Sequence, residues 1–214
     1  MNFISHHETA VLFDSKSSLS FLTGSMVYDL RRISGLKNTL SGLNNEEMLR
    51  GIDFHKATNT AFDNLPQIIE IEESMKELFN KFLPWRTSIQ ASRAGKDLLF
   101  DSIQFKDKSI IEDLMITLEN IYNGEVIFSG VENPKPIVQV AGWLLQNGPP
   151  RYDDPEIATQ RLYGTLSQTR TPIDMLYFDY VLKVMQESQS KILKIGSLSM
   201  NQTVNNLKNN FSLS

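Results

Sequence analysis

The chain has 214 residues, 41% hydrophobic and 21% charged, a balance typical of folded protein and unlike that of disordered or collagen-like chains. Its net charge of −4 argues against broad attraction to nucleic acid or to anionic membranes. There is no cysteine, which excludes disulfide frameworks, thiolate metal sites and cysteine nucleophiles.

Residues 1–43 are rich in serine and carry Gly24, Gly35 and Gly42, while Val11, Phe21, Leu22, Met26, Leu30 and Ile33 recur at spacings of three to five. This predicts a weakly ordered helical segment that needs a partner to stay folded. The first ten residues, MNFISHHETA, lack the basic and apolar regions of a cleaved secretory signal. The clearest helix spans 44–83, with Asn44 or Asn45 as cap and Glu46 and Glu47 at the positive end of the dipole. Its stripe runs through Thr58, Ala61, Phe62, Leu65, Ile68, Ile69, Met75, Leu78, Phe79 and Phe82, and Pro66 predicts a kink or break. Forty helical residues reach roughly 60 Å, against about 34 Å for a compact chain of this length, which suggests a rod.

Residues 85–105 read as mixed, with a turn at Gly95. A helix follows from Lys106 to Tyr122, with Ile110, Ile111, Leu114, Leu118 and Ile121 inward and Asn123-Gly124 as its stop. Glu125 to Phe128 reads as a short strand. In the punctuated stretch 130–171, Ile137 to Val140 and Trp143 to Leu145 read as a hairpin. The longest apolar run, 137–145, is far below the ~20 residues that span a bilayer. Asp154-Pro155-Glu156 opens a brief helix to Leu166. Thr171-Pro172-Ile173-Asp174 has the form of a capping box and opens a last helix to about Asn209. Val181, Met185, Ile192 and Ile195 form one stripe of that helix, and Met200, Val204, Leu207 and Phe211 a shifted one. A bend is expected at Gly196.

The expected fold is mainly α: an elongated antiparallel helical bundle or coiled-coil rod with a small β-containing outer segment. Residues 44–129 and 172–214 form the rod, 130–171 the outer piece and 1–43 the weak N-terminal segment. Phe62, Leu65, Ile69, Leu78, Leu114 and Leu118 are the expected rod core.

No chemistry-bearing motif stands out. His6-His7-Glu8 has metal-ligand residue types, but adjacent residues rarely converge on one ion, so it reads as a solvated terminus. His55, alone on its helix, reads as a surface or partner-facing residue. Ser34/Lys37 and Ser188/Lys191 have the Ser-x-x-Lys spacing of a serine nucleophile but lack the accompanying Ser-Asp-Asn and Lys-Thr-Gly elements. Nucleotide loops, zinc-protease helices and calcium loops are absent. The expectation is therefore a non-enzyme with no catalytic, metal or cofactor residues.

The stretch Ser109 to Ile137, SIIEDLMITLENIYNGEVIFSGVENPKPI, resembles the superfamily of flagellin and hook-associated protein 3. There a helix ending in Asn precedes a Gly-x-x-aromatic-Phe-Ser/Ala-Gly strand and a proline turn. The matching residues are Asn123, Gly124, Phe128, Ser129, Gly130, Asn133, Pro134 and Pro136, with Ile127 in place of the aromatic. Ala61 to Leu65 through Met75 to Leu78, and Gln189 to Phe211, are similar to the family's long helices. The resemblance covers about two thirds of the chain. Pro66 interrupts a helix that the family keeps continuous, and the outer domain shrinks to about forty residues.

The resemblance implies a structural axial protein of the bacterial flagellum, joining hook to filament outside the cell and exported without a cleaved signal. It implies a homo-oligomeric ring, flagellin and hook-associated protein 1 as neighbours, and an export chaperone, with no nucleic acid and no membrane insertion. Val181, Met185, Ile192, Ile195, Met200, Val204 and Leu207 are the expected interface residues. A reduced flagellin and a non-flagellar secreted helical adaptor are the alternatives.

Overall fold

Pro66 breaks the long helical pattern rather than bending it. Leu65 is extended (φ −70°, ψ 130°) and the proline falls in the first helical turn, where its missing N–H breaks no helical bond. The computed structural model describes residues 3–34, 40–104, 107–167 and 172–211. Its helices are α1 (Phe3–Phe13), α2 (Leu19–Ser34), α3 (Glu46–Asp63), α4 (Pro66–Phe79), α5 (Trp85–Gln104), α6 (Lys108–Tyr122), α7 (Lys135–Asn147), α8 (Pro155–Ser167) and α9 (Phe178–Asn210). A 3-10 turn, Met175–Tyr177, precedes α9, and no strand occurs among the described residues. The protein is mainly helical, and no described helix is long and apolar enough to cross a membrane.

The expected β-containing segment is therefore corrected in both its parts. At 125–130, side chains do alternate, with Val126 and Phe128 buried and Ile127 exposed. The backbone, however, makes isolated bonds instead of a ladder: Asn44 N–H donates to Ser129 O (2.8 Å) and Asn45 Nδ2 to Ile127 O (3.2 Å). An extended segment with no neighbouring strand is not a sheet. The expected hairpin at 137–145 is the body of α7. Ile137, Val140, Ala141 and Leu144 are buried at helical spacing, and Pro134 and Pro136 start that helix instead of preventing it.

Three further expectations change. Residues 85–104 are one helix, and Gly95 lies within it: a Cβ there would meet Met75 Cε at 2.9 Å and Met185 Sδ at 3.0 Å. Gly196 lies within the continuous α9, where a Cβ would meet Ile103 Cδ1 at 2.0 Å, so close packing accounts for this glycine. The last helix starts later than the capping box implies: Asp174 caps the 3-10 turn, accepting from Leu176 N–H at 2.9 Å. Thr171 lies outside the described residues.

The chain divides into two units. One comprises Phe62–Lys106 and Pro150–Gln202. Its core joins Phe62, Ile68, Met75 and Phe79 to Leu98, Leu99, Phe100, Leu162, Val181, Met185 and Ile192. Lys96 is buried at its edge, with Nζ 2.8 Å from Asp63 and 2.9 Å from Glu72. The other unit comprises Asn2–Ala61, Asp107–Pro149 and Thr203–Ser214. There α1 packs on α2 and α6, and α7 packs on α2 and α6. The partner that the weak N-terminal helices require is thus supplied by the chain itself. Phe54 anchors an aromatic cluster in this unit, its ring 4.9 Å from that of Phe13, 5.3 Å from Phe21 and 5.5 Å from Phe211.

Candidate metal centre

Three helices of the second unit each place a titratable side chain on an apolar face. On α1 the buried positions Phe3, His6, His7, Ala10 and Phe13 follow helical spacing. On α2 Asp29 falls between the buried Met26, Val27 and Leu30. On α3 His55 follows the buried Met48 and Ile52. Helices α2 and α3 cross with their backbones in contact: a Cβ on Gly51 would lie 2.2 Å from Phe21 O and 2.8 Å from Gly24 Cα. Two glycines at the crossing bring His55, one turn further along α3, beside the backbone of Ser25 and the side chain of Asp29.

His6 Nδ1 lies 2.8 Å from Asp29 Oδ2, and its Nε2 lies 3.1 Å from Asn59 Oδ1. His55 Nδ1 lies 4.0 Å from the same Asp29 oxygen and 2.8 Å from the Ser25 carbonyl. The two imidazoles stack, with ring centroids 3.9 Å apart and planes 28° apart. Arg32, half exposed at the end of α2, approaches the other Asp29 oxygen at 3.4 Å. His6 is fully buried, and Asp29 and His55 nearly so. The sequence-based placement of His6 and His7 in a solvated terminus is thus corrected, because both face the interior of α1's own unit. His55 is likewise no surface residue.

Electrostatics prepare this cluster for a cation. Burial pushes the Asp29 carboxyl upward, but the His6 charge and hydrogen bond outweigh it with help from Arg32 and His55, so its pKa falls below the usual value and the group stays ionised. His55 is held down at about 4 by burial, then by the neighbouring His6 charge, with Asp29 and the Ser25 carbonyl opposing. At neutral pH it is a neutral imidazole with a lone pair to offer. One ligand atom each from His6, Asp29 and His55 lies within 4.8 Å of the others. A cation about 2 Å from nitrogen and oxygen ligands sets them roughly 3–4 Å apart, the scale of the 2.8 Å between His6 Nδ1 and Asp29 Oδ2. His55 donates its Nδ1–H to the Ser25 carbonyl and so has its Nε2 lone pair to offer. Asn59 at Nε2 of His6 and the Ser25 carbonyl at His55 supply the outer hydrogen bonds that fix such rings.

His7 does not join the cluster. Its Nε2 meets Thr117 Oγ1 at 3.0 Å, and burial holds its pKa at about 4.

The residues singled out from sequence lie elsewhere. Val181, Met185, Ile192 and Met200 are buried in the first unit's core, with Ile195 packed against it. Leu207 is buried in the second unit's aromatic cluster, and Val204 is buried too. Phe62, Leu65, Leu114 and Leu118 are buried and Leu78 partly so, whereas Ile69 is 49% exposed. The buried stripe of α4 is Ile68, Ile71, Met75 and Phe79, which leaves Ile69 one position off. The motif residues build the turn from α6 to α7. Asn123 and Gly124 close α6, with Gly124 N–H donating to Ile121 O and Glu125 N–H to Asn120 O. Phe128 is buried, and the Ser129 carbonyl accepts from Asn44. Gly130 (φ +81°) abuts Gly42, where a Cβ on Gly130 would lie 1.9 Å from the Gly42 carbonyl oxygen. Pro134 caps α7.

No protein-family model, curated protein or solved structure matches this chain.

Proposed function

We propose that the chain is a metal-dependent hydrolase whose cation is held by His6, Asp29 and His55. The observation that carries this reading is the convergence of two histidines and one carboxylate, from three different helices, in the buried interior of one unit. Two nitrogens and one oxygen suit Zn²⁺, Mn²⁺ or Fe²⁺. Three protein ligands are one fewer than a closed structural zinc site uses, which leaves a position for water or substrate. A cation there activates water at neutral pH and polarises an ester oxygen. Arg31 and Arg32 end the helix that carries Asp29, and their charge favours an anionic ester such as a phosphate ester.

The test strips the purified protein with a chelator and titrates in each cation. One cation bound per chain, with turnover of p-nitrophenyl or bis(p-nitrophenyl) phosphate that Asp29→Asn abolishes in a folded variant, supports the reading. No stoichiometric binding refutes the centre. Binding without turnover of either ester refutes the phosphoesterase activity.

The flagellar axial role, as an elongated junction subunit with the partners named above, is a separate proposal. Its support is the sequence motif from Asn123 to Pro136 together with a mainly helical chain. The metal centre takes precedence because the apolar stripe assigned to subunit contacts is buried within the chain. Sedimentation in high salt separates the two axial forms, since a filament subunit self-assembles there and a junction subunit does not. Truncation after Gly196 tests the role itself, and unchanged assembly of the truncated protein refutes it.

A further inference from the structure

In the first unit, the end of α4 and the opening turns of α9 enclose a groove of about 330 Å³, within the size range of small-molecule sites. Leu78, at the end of α4, and Lys81 and Phe82, in the turn after it, form one wall, and Tyr180, Lys183, Val184 and Glu187 follow helical spacing on the other. The floor is apolar and aromatic. Phe82 has Tyr177 at 5.8 Å and Tyr180 at 5.4 Å between ring centroids. Tyr180, on the wall, is 60% exposed, and Leu176, four residues before it in the chain, is 83% exposed. Large exposed apolar groups next to a concavity mark a binding surface more often than a bare monomer face.

The rim decides what fits. It carries two ammonium groups, Lys81 and Lys183, against one carboxylate, Glu187. Among the described residues no carboxylate pairs with either lysine, whereas Lys56, Lys76 and Lys96 all have partners. The four-carbon stems of the lysines extend the apolar wall while their charges stay at the mouth. An apolar trough with a net positive rim complements a molecule with an apolar tail and one anionic head. It disfavours a cationic amphiphile, whose head would meet the lysines.

We propose that this groove binds a monoanionic amphiphile, a medium-length acyl chain ending in a carboxylate. The site is independent of the metal centre and of the hydrolase reading.

Isothermal titration of the full chain with decanoate, below its micelle concentration and in chelator, tests the proposal. Decyltrimethylammonium and hexanoate are the comparators. Decanoate is expected to saturate one site per chain, and the other two to bind at least about tenfold more weakly. Lys81→Gln combined with Lys183→Gln, and separately Tyr180→Ala, are each expected to lower decanoate affinity about tenfold or more. All three side chains are solvent-facing, so circular dichroism is expected to show an unchanged helical fold. Absence of saturable binding, equal binding of the cationic amphiphile, or unchanged affinity in both variants overturns the proposal.

Discussion

The Gly24–Gly51 crossing carries the geometry of the metal centre, and Gly51→Ala is its sharpest test. A single methyl at position 51 would lie 2.2 Å from Phe21 O and 2.9 Å from Ser25 N. Ordinary contact begins near 3.5 Å, so the two helices must part by about 1.3 Å. Both obstacles are backbone, and neither can swing aside as a side chain does. Intrinsic helix propensity favours alanine by about 1 kcal/mol, and overpacking costs about 1–3 kcal/mol. With rigid backbone on both sides the clash dominates, and a net loss of about 1–2 kcal/mol is expected in urea denaturation.

Ser25, at the same crossing, holds His55 through its carbonyl, so the displacement reaches the centre. Loss of a ligand's supporting bond costs about 10–100-fold in metal affinity. Gly164→Ala is the control: this glycine sits within α8 with nothing near a new Cβ, so propensity alone predicts a gain of about 0.5–1 kcal/mol. If Gly51→Ala matches Gly164→Ala in stability and takes up metal like the parent, the two backbones do not touch and the argument fails.

Three more outcomes are expected. His7 is held at about 4 by burial, below its ordinary 6.5, so the unfolded chain takes up a proton there before the folded one does. Its contribution is fully present above about pH 6.5 and is lost as pH falls towards 4, by about 3 kcal/mol. His7→Gln should therefore flatten the dependence of the urea midpoint on pH in that window; parallel profiles for the two proteins argue against a buried neutral His7. The 2.8 Å approach of His6 Nδ1 to Asp29 Oδ2 requires a proton between them, which a cation must displace. Zn²⁺ affinity is expected to fall about tenfold or more in Asp29→Asn and in His6→Gln, read by isothermal titration, and unchanged affinity in both contradicts the ligand set. Phe54→Ala empties a fully buried position ringed by Phe13, Phe21 and Phe211, and should cost about 3–5 kcal/mol by calorimetry. A loss below about 1 kcal/mol indicates that this cluster is not packed as described.

Local signals carried the helices they could carry. The break at Pro66 and the stop at Asn123-Gly124 follow from backbone chemistry within a few residues, and both are where the sequence places them. Other signals were ambiguous because the same residue serves two structures. Pro134 and Pro136 punctuate a loop or open a helix, and only the burial of Ile137, Val140, Ala141 and Leu144 on one face decides for the helix. Gly95 and Gly196 read as a turn and a bend, but each is small because another helix packs there. The metal centre left a fainter trace. Its ligands are 23 and 26 residues apart in sequence, with no fixed spacing to search for. A signal was nevertheless present: His6 shares a stripe with Phe3, Ala10 and Phe13, Asp29 with Met26 and Leu30, and His55 with Met48 and Ile52. A charged or titratable residue at an apolar stripe position on three separate helices is costly to bury, and that recurrence points to one shared site.

Two buried charge clusters among the described residues answer that cost differently. Around Lys96, the chain supplies its own cation, and Asp63 remains 53% exposed, so water shares the burden of solvating the acids. That arrangement is complete as an ion-pair network, with Arg93 adding a second bond to Glu72 at 3.0 Å. At His6, Asp29 and His55 the balance is different. Two imidazoles stacked at 3.9 Å repel one another when both are charged, which is part of why His55 is held neutral. What remains is an ionised carboxylate, a neutral ring and a ring whose proton is shared with that carboxylate, all in a nearly dry interior. Apolar side chains at these three positions would pack the same space without any desolvation cost, which runs to several kcal/mol per buried ion. Stability therefore gives no reason for two histidines and an aspartate here. Affinity for a cation from solution does: it replaces one shared hydrogen bond with bonds to all three side chains.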